Sequence, residues 1–138
     1  NSLAPDALTF AQALLEAEVT RPLAPYPDWA RPCPPVEEPK PVLGSYYQRT
    51  SPKTMQALDE LASFMTDPAA KTHEFRYAQD VRSALENFIR AHFLDLDHIT
   101  IRKGTPHTLA CTKNDKSYHH ALVRRAEDET LLAKLNKL

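Results

Sequence analysis

Apolar positions along this chain keep two different rhythms, and a long stretch between them keeps neither. In residues 4–20, Leu8, Ala11, Leu15 and Val19 recur every three or four residues, and Phe10 and Leu14 widen the stripe. That spacing predicts an amphipathic helix. Pro5 falls in its first turn, where proline is tolerated. Pro22 ends it by restricting Arg21 to extended backbone. A lone helix of about 17 residues is marginal in water. Its apolar face, with Leu8 and Leu15 at the centre, therefore needs a surface to rest on.

The helical rhythm returns after Ser51-Pro52, which combines an N-cap serine with proline at the first helical position. Met55, Leu58, Leu61, Ala62 and Met65 predict a helix to about Met65, closed by Asp67-Pro68. A longer helix is predicted over 73–94, with Phe75, Ala78, Val81, Leu85, Phe88, Ile89, His92 and Phe93 facing inward. The short connection makes the two an antiparallel helix hairpin. The period then drops to two. Ile99 and Ile101 alternate with Thr100 and Arg102, and Leu109 and Cys111 alternate with Thr108, Ala110 and Thr112. Gly104-Thr105-Pro106 lies between them, which predicts a β-hairpin. Two strands are not stable alone, so the hairpin must pack on a helix or extend a sheet. A last helix is expected over 118–136, with Leu122, Ala126, Leu131, Leu132 and Leu135 partly in phase.

Between the first helix and the second the chain is full of proline. Pro22, Pro25, Pro27, Pro32, Pro34, Pro35, Pro39 and Pro41 exclude a helix or a central strand. The expected form is polyproline II or irregular extended chain, reaching roughly 60 Å at about 3.1 Å per residue. It carries Leu23, Tyr26, Trp29 and Val36. A large aromatic on a segment without its own core usually fills a groove. The predicted class is therefore α+β, mainly α: an isolated N-terminal helix (1–21), an extended proline-rich arm (22–46) and a compact α-α-β-β-α body (47–138).

Charge changes the picture in one region. The chain has 17 basic and 18 acidic residues among 138, a net charge of −1, which argues against a protein that lives mainly on phosphate backbone. Residues 98–125, however, hold Arg102, Lys103, Lys113, Lys116, Arg124 and Arg125 against Asp115 alone. This segment suits an acidic protein, RNA or an anionic lipid surface, with Arg102, Lys103, Arg124 and Arg125 as the contacts. No apolar run is long enough for a transmembrane segment. Two cysteines, Cys33 and Cys111, make no disulfide framework and are expected as free thiols in a reducing compartment.

Candidate chemistry is sparse. His73, His92, His98, His107, His119 and His120 fit no metal-ligand spacing. No serine or cysteine lies in a nucleophile motif, and only Gly44 and Gly104 are available for a phosphate loop. The expectation is a protein without metal, cofactor or catalytic residues. The arm contains PxxP at Pro22–Pro25 and Pro32–Pro35, but Glu37 and Glu38 stand where a docking motif usually carries a base. The reading is a non-catalytic accessory subunit of a large multi-subunit assembly, binding neighbouring protein subunits through Leu8, Leu15, Tyr26 and Trp29. The chain begins at Asn1 rather than Met, and no secretion feature is visible. A mitochondrial location, inside the organelle and peripheral to its membrane, is therefore expected, in an energy-transducing complex such as ATP synthase or a respiratory complex. The alternative is an RNA-associated subunit, such as an organelle ribosomal protein, using residues 98–125.

Overall fold

The computed structural model describes residues 4–36 and 51–138. The end of the expected arm, residues 37–46, lies outside them. The fold is α+β and mainly α: among the described residues, four helices accompany a three-stranded antiparallel sheet. Contacts divide the chain into two units. One joins the described part of Asn1–Pro25 to Asp115–Leu138, and the other is Tyr26–Asn114, apart from the stretch already set aside. The final helix thus belongs with the first one rather than with the helices and strands before it.

In the second unit, helix α2 (Pro52–Thr66) starts as its sequence requires, with Ser51 Oγ accepting from the Thr54 amide. Strand β1 (Thr72–Arg76) and helix α3 (Gln79–Ala91) follow. The single helix expected over 73–94 is therefore corrected: its first residues form a strand, and the helix is shorter at both ends. The reason is long-range pairing. THEFR alternates as well as it fits a helix, and β1 bonds along β3 (Thr108–Lys113) with Phe75 opposite Leu109. Strand β2 (Leu96–Ile101) pairs with the other edge of β3, giving the order β1-β3-β2. The expected hairpin is present, and the additional strand is what extends it into a sheet.

The sheet is covered on one face. Phe75, Leu109, Cys111 and Leu96 meet Ala57, Leu58, Leu61, Phe64 and Met65 from α2 and Val81, Leu85 and Ile89 from α3. The period-two pattern of β3 continues through Lys113, so a lysine joins the buried positions. Its ammonium donates to the Asp67 carbonyl at 2.8 Å and lies 4.5 Å from the centre of the Phe64 ring. Glu60 ties α2 to β1: one oxygen meets His73 Nε2 and the other accepts from the Tyr77 hydroxyl, both at 2.8 Å. Helix α3 ends with Phe93 at φ 50 in the left-handed region. The amides of Phe93 and Leu94 return to the carbonyls of Arg90 and Ile89, the paired bonds of a Schellman cap. Glycine usually fills that place; here a phenylalanine does, and its ring is 85% exposed.

Burial gives this unit a pH response. The Cys111 thiol is pushed up from 9.0 to about 12 by burial, with a smaller push from the Glu86 carboxylate. Burial likewise lifts Tyr77 from 10.0 to about 12, assisted by its hydrogen bond to Glu60. Both groups keep in the folded state a proton that the unfolded chain has lost, so their stabilisation is full below pH 9 and is lost as pH rises toward 12. Lys113 acts oppositely: burial lowers its pKa, so the unfolded chain holds that proton longer and stability is regained as pH approaches 10.5. The expected net result is a falling urea midpoint across this alkaline window. Each unit of separation at Cys111 is worth about 1.4 kcal/mol. Cys111→Ala should flatten the slope that begins near pH 9, and an unchanged slope in that variant would remove the thiol from the account.

Candidate functional site

From Tyr26 onward the described arm belongs to the second unit. Residues 26–36 lie on it. Backbone bonds anchor them, from the Trp29 amide to the Pro68 carbonyl and from the Arg31 amide to the Met65 carbonyl. Cys33 and Val36 pack against the core. Proline explains the absence of helix or strand here, and the sequence reading of an irregular extended segment holds for these residues.

Arg31 organises this segment, although sequence reasoning passed over it. The residue is only 4% exposed. Its Nε donates to the Asn114 carbonyl at 2.9 Å, and Nη1 donates to the carbonyls of Asp28 and Ala30 at 2.7 and 3.0 Å. The guanidinium stacks over the Tyr26 ring at 3.8 Å and lies 5.4 Å from the Trp29 ring. A planar guanidinium combines such a fork of donors with stacking, which lysine cannot copy. Tyr26 adds a hydroxyl bond to the buried carboxylate of Asp95. Trp29, 36% exposed, also faces the Lys71 ammonium at 5.1 Å. Tyr26 and Trp29, expected to fill foreign grooves, are thus engaged by their own chain. The pattern that would have pointed there is an arginine two residues after a tryptophan and five after a tyrosine in a proline-rich run.

In the first unit, helix α1 (Pro5–Thr20) runs against helix α4 (Lys116–Leu135). They are antiparallel, since Gln12 bonds to Asn136 while Arg125 reaches the carbonyls of Glu18 and Arg21. The first helix is therefore not isolated. Leu8, Leu15 and Val19 are half-buried, as are Tyr118, Ala121, Leu132 and Leu135. On α4 these positions, with Arg125 and Asp128, follow a three-and-four spacing that lays them along one seam. Arg125 serves as a C-terminal cap for α1, a usual place for a cation. Neither helix contains a buried residue. Phe10 and Leu14 lie one turn apart on the far side of α1, with Phe10 66% exposed. Leu122, Val123, Ala126 and Thr130 form an exposed strip on α4, with Val123 58% exposed.

The basic segment 98–125 is divided between the two units. Lys113 is buried, Arg102 and Lys103 follow β2 at the hairpin tip, and Arg124 and Arg125 are on α4 in the other unit. Arg125 is occupied by α1, whereas Arg102, Lys103 and Arg124 are exposed. Gly104 turns the chain after Lys103 with φ +80, and an added Cβ there would meet Arg76 Nη2 at 3.2 Å. Among the described residues no group of three His, Cys, Asp or Glu side chains gathers to hold a metal ion, and no helix is long and apolar enough to cross a membrane. Comparison with family models, curated proteins and solved structures finds no match. The two features that stand out are therefore the coreless helix pair and the basic hairpin tip.

Proposed function

We propose that this chain is a non-catalytic accessory subunit of a large multi-subunit assembly, held by protein neighbours through the α1–α4 pair. One observation carries the reading: two helices with 16 and 20 residues bury no side chain between them, yet they hold Phe10, Leu14, Leu122 and Val123 in water. Burying such a side chain fully is worth about 1.5–3 kcal/mol, so a protein partner covering both strips gains what the pair alone leaves unused. The docking element is thus the helix pair rather than residues 26–36, which are spent on their own unit. Within this proposal the parent assembly is a mitochondrial energy-transducing complex, supported by near-neutral charge and two unpaired thiols.

The test is assembly in extracts. The chain should migrate with a complex far heavier than 15.6 kDa in a native separation. Phe10→Glu combined with Val123→Glu should move it to the free fraction, lowering assembled chain by about tenfold or more, since the loss of even one anchor has that effect. Trp29 fluorescence should stay unchanged, since the substitutions are in the other unit. A wild-type chain that migrates alone, or a variant that assembles as well as wild type, overturns the reading.

A further inference from the structure

A cleft of about 350 Å³ opens in the second unit between α3 and the β2–β3 hairpin. Its walls are polar. Gln79, Arg82, Ser83 and Glu86 come from α3, Thr100 from the end of β2, and Arg102 and His107 from the hairpin tip. The four helix residues are spaced three, one and three apart and so share one face. They flank the buried line of Val81, Leu85 and Ile89. Thr100 pairs with Leu109, which puts it on the sheet face that α3 covers. Packing of α3 on the sheet therefore brings these groups together, and a volume of this size lies at the small end of small-molecule sites.

We propose that this cleft binds a small phosphate ester. Arg82 is held in place by its Nε bond to the Tyr77 carbonyl at 2.9 Å. That bond leaves its two Nη groups free, and among the described residues neither they nor the Arg102 guanidinium meets a protein acceptor. Two guanidinium forks beside one opening match the oxygens of a phosphate, and charge-assisted bonds of this kind are the strong ones. Gln79, Ser83 and Thr100 add neutral donors, and His107 adds a third cation when protonated. Glu86 is the one acid in the lining, and Arg90 at 3.0 Å partly neutralises it. Its remaining oxygen suits a hydroxyl on the rest of the ligand, as a ribose or another sugar carries. An apolar ligand or a greasy peptide would find almost nothing to cover here. The phosphate ester has two sources, a free nucleotide or sugar phosphate and the terminal phosphate of an RNA strand.

The experiment follows backbone amide shifts of the whole chain during titration with inorganic phosphate, adenosine 5′-monophosphate, and a short RNA with and without a 5′-phosphate. Saturable shifts confined to residues 79–86 and 100–107 are expected with phosphate and the nucleotide. Arg102→Gln should weaken that binding by about tenfold, the size of one charge-assisted contact. This exposed substitution should leave the remaining spectrum unchanged, whereas Arg124→Gln in the other unit should have no effect on binding. Competition by the 5′-phosphorylated RNA alone assigns the strand end as a source, and its failure to compete assigns the free ester. Three results overturn the proposal: no saturable shift in the cleft with any probe, equal binding of RNA with and without the phosphate, or unaltered affinity in Arg102→Gln.

Discussion

Phe75→Ala is expected to destabilise the Tyr26–Asn114 unit by about 4 kcal/mol, the range for removing a buried aromatic from a packed core. Phe75 is fully buried and pairs with Leu109 across the sheet. Its ring meets Phe64 edge-on at 6.2 Å and His73 at 4.7 Å. Neighbouring positions should behave differently. Glu74 and Arg76 are exposed and project from the opposite face of β1, so alanine there should change stability by about 0.5 kcal/mol or less. Urea unfolding of these three variants and of His73→Ala thus reads the period of the segment. Sensitivity at 75 flanked by tolerance at 74 and 76, with an intermediate effect at 73, is a two-residue period. Equal losses at 74, 75 and 76 would contradict the strand.

Arg31→Ala should release residues 26–36 from the surface they cover, at a cost of about 2–4 kcal/mol. Three carbonyls lose a charged donor at once, and the Tyr26 and Trp29 rings lose the guanidinium beside them. The readout is direct because Trp29 is the only tryptophan. Its emission should shift to the red and become more easily quenched, and the urea midpoint should fall. Arg31→Lys should restore only part of the loss, since an ammonium keeps the charge but not the fork or the stacking plane. The same variant has a secondary consequence. Arg31 is one of the groups that lower the Lys113 pKa, after burial itself, so its removal eases the protonation of that lysine. Unchanged Trp29 emission in Arg31→Ala would mean that the backbone bonds to Pro68 and Met65 hold the segment unaided.

Much of the local structure is legible in the chain itself. Ser51-Pro52 opens a helix and performs the expected cap. Pro5 and Pro22 bracket α1 at the two ends the spacing predicts. Prolines from 22 to 35 keep the segment out of regular structure. The alternation of Leu109 and Cys111 marks β3. The failure at 73–94 has a specific cause. Phe75, Ala78, Val81 and Leu85 satisfy a helical period across the boundary, and a five-residue strand is too short for its own period to compete. Pairing with a strand more than 30 residues away decided the matter.

Contacts of different reach place the apolar residues that the sequence leaves without cover. Leu8 and Leu15 need cover by their spacing, and α4 supplies part of it. Tyr26 and Trp29 need cover for the same reason, and the surface beneath them is their own unit. The cleft around Arg82 and Arg102 left only a faint mark, a polar stripe of Gln79, Arg82, Ser83 and Glu86 that looks like any solvated helix face until the hairpin tip is set beside it.

By itself the sequence determined where the backbone must be extended, where helices begin, and which side chains are too apolar to leave in water. Those matters depend on dihedral limits, caps and periodicity within a few residues. Only the tertiary structure decided what covers each apolar or charged group. Tyr26 meets Asp95, Arg31 meets Asn114, and Arg125 meets Glu18, partners 69, 83 and 107 residues apart. Hydrophobic burial has no direction and assigns no partner in advance. The choice among surfaces is made by packing and hydrogen-bond geometry between segments that the chain order does not bring together.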